Sequence, residues 1–374
     1  MTVFNLGVAE LRTRQSMKWQ TYPADVLPLW VAEMDVKTHP AVKAAVFAEL
    51  EAGDTGYPAG RRYADAYRAF AARHWGLELA DAQVKQSGDV MNSMLGVLQT
   101  VTSPGDAVVL NPPVYPPFYT IVERYQRKVV PANLTPDGRL DLAAIAEILA
   151  GPAHPRAFLL CSPHNPTGTV HTHQELAELV RLCAANDVAL IVDEIHSPIT
   201  HAGTGFTPIL SVPGSERAIA VMSAGKAWNL ASFKGGLVIG GTAAGDVLDR
   251  LPALLLQSMG HMAAIAHSTA MNEGDAWLAE YLGEVAANKQ LLGRLLSEHV
   301  PAANYLPGPG TYFAWVDCSA LGLDSPATHF RQAGKVAFND GTAFGKEFGQ
   351  WIRVNLATSP EIITEAIRRL ANSL

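Results

Sequence analysis

Cysteine is scarce in this 374-residue chain: Cys161, Cys183 and Cys318 are the only three. An odd count without paired spacing excludes a disulfide framework and a cysteine-ligated metal centre, and it predicts reduced thiols in a cytoplasmic protein. Charge is thin too, at 17% of residues, and Lys and Arg together number 28 against 35 Asp and Glu. The net charge of −7 argues against nucleic acid or an anionic membrane as partner. No apolar run has the length of a membrane helix, and the opening MTVFNLGVAELRTRQ lacks the basic-then-apolar layout of a secretory signal. Repeats and low-complexity linkers are missing as well. What remains is 48% apolar residues in a chain too long for one ordinary core, which predicts two domains or one large domain with an appendage.

Residues 1–35 hold a basic, polar stretch (LRTRQSMKW) and then the apolar PLWVAEMD, without clear periodicity. Pro40 opens a helix that runs through Leu50 and is stopped by Gly53, a proline-start and glycine-stop pairing. GYPAG (Gly56–Gly60) marks a turn, and apolar and aromatic spacing predicts a helix over 63–75 as a core-packing element. From Gln86 the pattern alternates. Ser87-Gly88-Asp89 leads into a helix over 90–101. DAVVL, KVVPA, AFLLCS, ALIVDE, AIAVMSA and GLVIGG read as short buried strands, with helices near 141–149 and 174–186. This alternation predicts an α/β unit with a mostly parallel sheet covered by helices on both faces. Past about residue 260 the beat is lost. A long helix over 276–299, TYFAWVDCS, a helix near 326–334, WIRVNLATS and a terminal helix predict a smaller α+β domain. The expected division is an N-terminal segment, 1–35, packing with the small domain, then a large domain, 36–270, and a small domain, 271–374.

Three strand candidates end beside polar residues that suit one ligand. AFLLCS precedes PHNPTG, which sets Asn165 in a proline-braced turn; ALIVD delivers Asp193; AIAVMSA delivers Lys226. In an open α/β sheet such ends face the ligand crevice. A lysine buried beside Trp228 has its amine pushed toward neutrality, the property needed to bond an aldehyde. Taken singly, Lys226 also reads as a surface lysine and Asp193 as a helix cap or ion-pair partner. Together they offer what a pyridine cofactor requires: an amine for its aldehyde, a carboxylate for its ring nitrogen and an amide for its ring hydroxyl.

The segments RTR…KW, LWVAEMD, GYP, PPVYPPF, PHNPTG, DEIH, SAGKAWNLASFK, FNDGTAFG and WIRVNLATS occur in one order along nearly the whole chain. In this the chain resembles the aminotransferase class I/II family of pyridoxal-phosphate enzymes, and within it the β-carbon–sulfur lyase branch, the cystathionine β-lyases of the MalY/PatB type. The resemblance implies an aspartate-aminotransferase-like fold, pyridoxal 5'-phosphate as cofactor, an amino-acid substrate and a homodimer. It implies that Lys226 bonds the cofactor, Asp193 partners the ring nitrogen and Asn165 the ring hydroxyl. Ser87, Gly88, Asp89 and Val90 match the phosphate loop, with Ser223 and Lys234 as its hydroxyl and cationic contacts. Tyr115 matches the aromatic stacked on the ring, its alternative being a core tyrosine between prolines. Tyr57 of GYP matches the tyrosine that reaches the neighbouring subunit's cofactor. Arg353 matches the clamp on the substrate's α-carboxylate, its alternative being an ion pair inside the small domain.

Some positions depart from the family pattern. Lys234 stands where many relatives have arginine, His196 where many have tyrosine but lyase relatives commonly have histidine, so that it too is expected to bind the cofactor, and Glu33 gives AEMD for the usual ADMD. Asp89 adds negative charge, so only its backbone N–H suits a phosphate, and Asn92 reads as a solvated polar residue. The implied reaction is β-elimination from L-cysteine S-conjugates, with Lys226 taking the α-proton and either Tyr115 or Lys226 protonating the leaving sulfur. An aminotransferase using the same residues, and a regulatory protein that keeps the fold, are the two alternatives.

Overall fold

A computed structural model describes residues 2–374. Seven strands form its main sheet: β1 (Val84–Ser87), β2 (Ala107–Leu110), β3 (Lys128–Pro131), β4 (Ala157–Cys161), β5 (Ala189–Asp193), β6 (Ile219–Met222) and β7 (Gly236–Gly240). They lie in the order β1-β7-β6-β5-β4-β2-β3. All neighbours are parallel except the two pairings that β7 makes, with β6 and with β1. The central strands are buried on both faces, so they stand out in the sequence as continuous apolar runs. The strand β1, VKQS, has a half-buried polar middle and gives no such signal.

Side chains of successive strand residues alternate between two cores. Val109, Phe158, Leu160 and Val192 pack with the helices Arg62–Trp75, Leu142–Ala150, His173–Ala185 and His261–Glu273. Val108, Leu159, Cys161 and Ile191 face the other way, toward Val90–Val101 and Pro116–Arg124. Helix starts follow local chemistry. Asp141 accepts from the Ala144 N–H, and Thr172 and Glu175 form a reciprocal capping box. The Pro40–Ala52 helix ends where Gly53 turns left-handed at φ 72°. The helix His261–Glu273 is an element that periodicity misses: it is buried on most sides and small-residue-rich, so no polar face marks it.

A second sheet joins β8 (Asn304–Tyr305), β9 (Phe313–Asp317), β10 (Asn339–Asp340) and β11 (Trp351–Asn355), antiparallel throughout in the order β10-β11-β9-β8. Its core includes Leu6, Leu11, Trp19 and Leu29 from the start of the chain together with Leu296, Ile352 and Leu370. Leu27–Pro28 also pairs in parallel with Val336–Ala337. The Asp275–His299 helix contributes Tyr281 and Val285 to one core and Leu292 and Leu296 to the other. Near the end of the N-terminal segment, Asp35 is buried and accepts from Lys18 Nζ at 2.7 Å and Trp19 Nε1 at 2.8 Å. Removing either partner of such a pair strands a buried charge, so this knot fixes where residues 30–35 run.

Candidate active site

The carboxyl ends of β4, β5 and β6 open onto a cavity of about 360 Å³ whose lining includes Asn165, Asp193, Lys226, Tyr115, His196 and Ser223. Asp193 is the last residue of β5 and is buried, its Oδ1 taking the Ile195 N–H at 3.0 Å. Burial pushes its carboxyl up to about 7; the Ile195 N–H and the Lys226 cation pull the other way.

Lys226 lies in the connection from β6 to β7. Because those strands are antiparallel, this loop begins and ends on the same edge of the sheet. Ser223 Oγ donates to the Gly235 carbonyl at 2.6 Å and accepts from the Gly225 N–H, which closes the loop on itself. The buried Tyr63 hydroxyl receives the Ala224 N–H at 2.9 Å. Within this frame Lys226 Nζ donates to the Ala32 carbonyl at 3.2 Å. Burial lowers its pKa to about 8, aided by the Arg353 cation and opposed by Glu33 and Asp193.

The Val90–Val101 helix points its N-terminus at the cavity. Asp89 caps it, its carboxylate accepting from Asn92 N and Asn92 Nδ2 at 2.8 Å each. That carboxylate is therefore turned back on the helix, while the first turn leaves backbone N–H groups of the kind that bind anions. Two glycines permit the close packing here: a Cβ on Gly88 would sit 2.5 Å from Ser258 Oγ, and one on Gly236 2.8 Å from the Asp89 carbonyl carbon. Lys234 Nζ stands 3.5 Å from Asp89, with 71% of its side chain exposed.

Arg353, on β11, is buried. It donates to Asn165 Oδ1 at 2.8 Å, to the Trp30 carbonyl at 3.2 Å and to Asn339 Oδ1. Its guanidinium carbon lies 4.1 Å from the Phe313 ring centre and 5.0 Å from that of Phe344. Among the described residues no carboxylate comes within ion-pair distance of it, which removes the alternative of an internal salt bridge. Burial holds its pKa down, to about 10.

The other expected residues divide. Tyr115 heads the Pro116–Arg124 helix with its ring edge-on to Phe118, and burial raises its pKa, so the phenol stays protonated. His196 is buried with its ring against Tyr312 and Phe313, and burial keeps the imidazole neutral. Ser87 and Gly88 do not line the cavity: the Ser87 hydroxyl bonds that of Ser93, and Gly88 packs on Ser258. Asn92 is tied to Asp89. Tyr57 is 98% exposed and away from this chain's cavity. Sequence reasoning passed over Asn229 and Asn355. Asn229 lies three residues past Lys226 inside a motif already singled out, and Asn355 shares the Arg353 face of β11.

The donor set fits pyridoxal phosphate. A buried carboxyl with one backbone partner suits a pyridinium N–H, the Asn165 amide suits a ring oxygen, and the helix N-terminus beside Ser223 suits a phosphate. The aminotransferase class I and II family matches residues 24–370. A Mycobacterium tuberculosis protein provisionally named a cystathionine β-lyase is 43% identical, over 99% of this chain and 97% of that one. The cystathionine β-lyase of Corynebacterium glutamicum is 32% identical, covering 98% of each chain. A solved PLP-bound structure from Clostridium difficile, provisionally named an aminotransferase, superposes with a TM-score of 0.93 at 27% identity over 100% of both chains.

The Lys226 amine sets a pH test. Its folded-state pKa of about 8 lies below the ordinary value of about 10.4, so the unfolded chain holds a proton that the folded chain gives up between those limits. The destabilisation is complete below pH 8 and fades as pH rises toward 10.5. Without cofactor, Lys226→Met is expected to exceed the wild type by about 2–3 kcal/mol at pH 7, discounted for partial exposure, and to match it near pH 10.5. Urea unfolding at the two pH values measures this; an equal gap at both would refute the assignment.

Proposed function

Because the chain belongs to the aminotransferase class I and II family, we propose that its site performs pyridoxal-phosphate-dependent β-elimination on L-cysteine S-conjugates such as cystathionine. The observation that carries the proposal is the buried Arg353 guanidinium, which has no carboxylate of its own and stands hydrogen-bonded to Asn165 at the cofactor cleft. The relatives from C. glutamicum and M. tuberculosis support the choice of elimination within the family.

The geometry supports a role for each residue. Arg353 takes the α-carboxylate in a fork of charge-assisted bonds. Asn165 already uses Oδ1 for Arg353, so its amide N–H₂ is left to donate to the ring hydroxyl. Asp193 would accept the ring N–H, and the backbone N–H groups at Val90 and Met91, with Ser223 and Lys234, would hold the phosphate. Bound pyridoxal phosphate supplies the electron sink that lets the α-proton leave. Lys226, a base with its pKa near working pH, takes that proton. The Cβ–S bond then breaks and the thiolate is protonated by Tyr115, a neutral phenol, or by Lys226. Water completes the release of pyruvate and ammonia.

Incubation with L-cystathionine and no keto acid should give pyruvate and thiol in equal amounts. Product only on adding a keto acid would favour the aminotransferase reading, which the C. difficile relative represents. Borohydride reduction of the loaded protein, followed by peptide mapping, should place the pyridoxyl group on Lys226.

Arg353→Ala is expected to lower kcat/KM for cystathionine roughly a hundredfold or more, about 3 kcal/mol of transition-state binding, while cofactor affinity holds. Arg353→Lys keeps the charge but loses the fork and should fall between. Comparing the amino acid with its decarboxylated amine tests the clamp. A variant that still discriminates them as the wild type does would sink it.

Tyr57, exposed on one chain, is proposed to reach the phosphate of a second copy. Light scattering should then report two chains. Mixed Tyr57→Phe and Lys226→Ala subunits should regain activity through one intact hybrid site; an active monomer rejects the idea.

A further inference from the structure

Residues 30–35 cross the cleft without helix or strand. The Glu33 N–H bonds the Val31 carbonyl at 2.8 Å and closes a three-residue turn about Ala32. The Ala32 carbonyl is left to face the site, where it receives Lys226 Nζ at 3.2 Å and the Tyr312 hydroxyl at 3.4 Å. Two asparagines from distant parts of the chain brace this turn. Asn355 Nδ2 donates to the carbonyls of Val31 and Glu33 at 2.7 Å each, and its Oδ1 takes the Ala357 N–H at 2.9 Å. Asn229 accepts the Met34 N–H at 2.9 Å and returns its Nδ2 to the Met34 carbonyl at 3.1 Å. Neither side chain lines the cavity.

Resting on the lyase reading, we infer that the Ala32 carbonyl is the acceptor on which the Lys226 ammonium rests whenever the lysine is free of cofactor, and that Asn229 and Asn355 are positioning residues that hold this acceptor in place. Lys226 must leave the cofactor and carry a proton in each turnover. Pairing with Asp193 at that moment would take from the ring nitrogen its only carboxylate and would raise the amine's pKa, leaving less of it unprotonated near neutral pH. A neutral carbonyl holds the ammonium without taking that carboxylate. It also favours the charged amine, because a hydrogen bond from an ionised donor is stronger than one from a neutral donor. Glu33 from the same segment, Asp193 from β5, Arg353 from β11 and Lys234 from the lysine's own loop also act on this amine, and His196, Tyr115 and Tyr312 are the uncharged titratable groups nearby. Removing either asparagine takes none of these groups away, and of them only Glu33 is carried on the braced segment itself.

The test is competitive acetylation of Lys226 in the full chain stripped of cofactor, from pH 6 to 10, read by peptide mass with the exposed Lys37 as reference. Asn229 sits at φ 55°, so Asn229→Gly removes both bonds to Met34 without straining the backbone. Asn229→Gly and Asn355→Ala are each expected to move the Lys226 midpoint down by about half a unit or more. In the loaded protein the acid limb of kcat should move the same way with KM little changed. An unmoved midpoint in a folded Asn229→Gly chain overturns the inference. So does an upward shift, which is what water entering a loosened wall would give. If Asn355→Ala does not fold, Asn229→Gly alone decides. Labelling needs no turnover, so a protein without elimination activity rejects the lyase reading while the amine midpoint still judges this one.

Discussion

Burial in one small volume at the sheet edge shifts the protonation of the three groups set deepest in it, Asp193, Lys226 and Arg353. Burial is the largest influence on Asp193, on Lys226 and on Arg353, and in each case it works against the charged form. An acid brought up to about 7 and an amine brought down to about 8 face one another without a direct bond. Each is therefore close to exchanging its proton at neutral pH. A ligand that brings its own pyridinium, phosphate and carboxylate supplies the counter-charges that this volume lacks. The protein is thus strained electrostatically toward its ligands before they arrive.

The scaffold supplies that dryness from several directions. Parallel strands deliver Asn165, Asp193 and Lys226 side by side because a crossover returns each chain segment to the same end of the sheet. The antiparallel β7 keeps the lysine loop anchored at both ends on that edge. From the opposite side, β11 inserts Arg353 and Asn355, and the segment around Ala32 closes the remaining gap. The aromatic rings of Phe313 and Phe344 take the place of water around the guanidinium.

The alternation of apolar runs and helices made the main sheet readable, since strands such as AFLLC and ALIVD are buried on both faces and have no polar phase to hide them. The strand β1 and the helix His261–Glu273 were not readable, the first for its polar centre and the second for its lack of a polar face. Lys226, Asp193 and Asn165 could be picked out because Asp193 ends a strand and the other two lie in the turns a few residues past one. Which atom of Asn165 is free could not, because that depends on an arginine 188 residues away. The bracing by Asn229 and Asn355 escaped for the same reason: their partners are backbone groups, which leave no trace in residue type.

The wall around Ala32 has a particular history in each molecule. It precedes Lys226 in the chain, yet part of its bracing follows about a hundred residues after the lysine: Leu27–Pro28 pairs with Val336–Ala337, and the Leu29 carbonyl receives the Asn355 N–H. Residues 27–33 therefore lack these particular partners until β11 has been synthesised. Nascent chains cut between Lys226 and β11 keep the lysine but lack the strand that braces the wall facing it. A fragment of that kind carries the nucleophile in an open, wet groove, and only synthesis through β11 turns that groove into a reaction vessel.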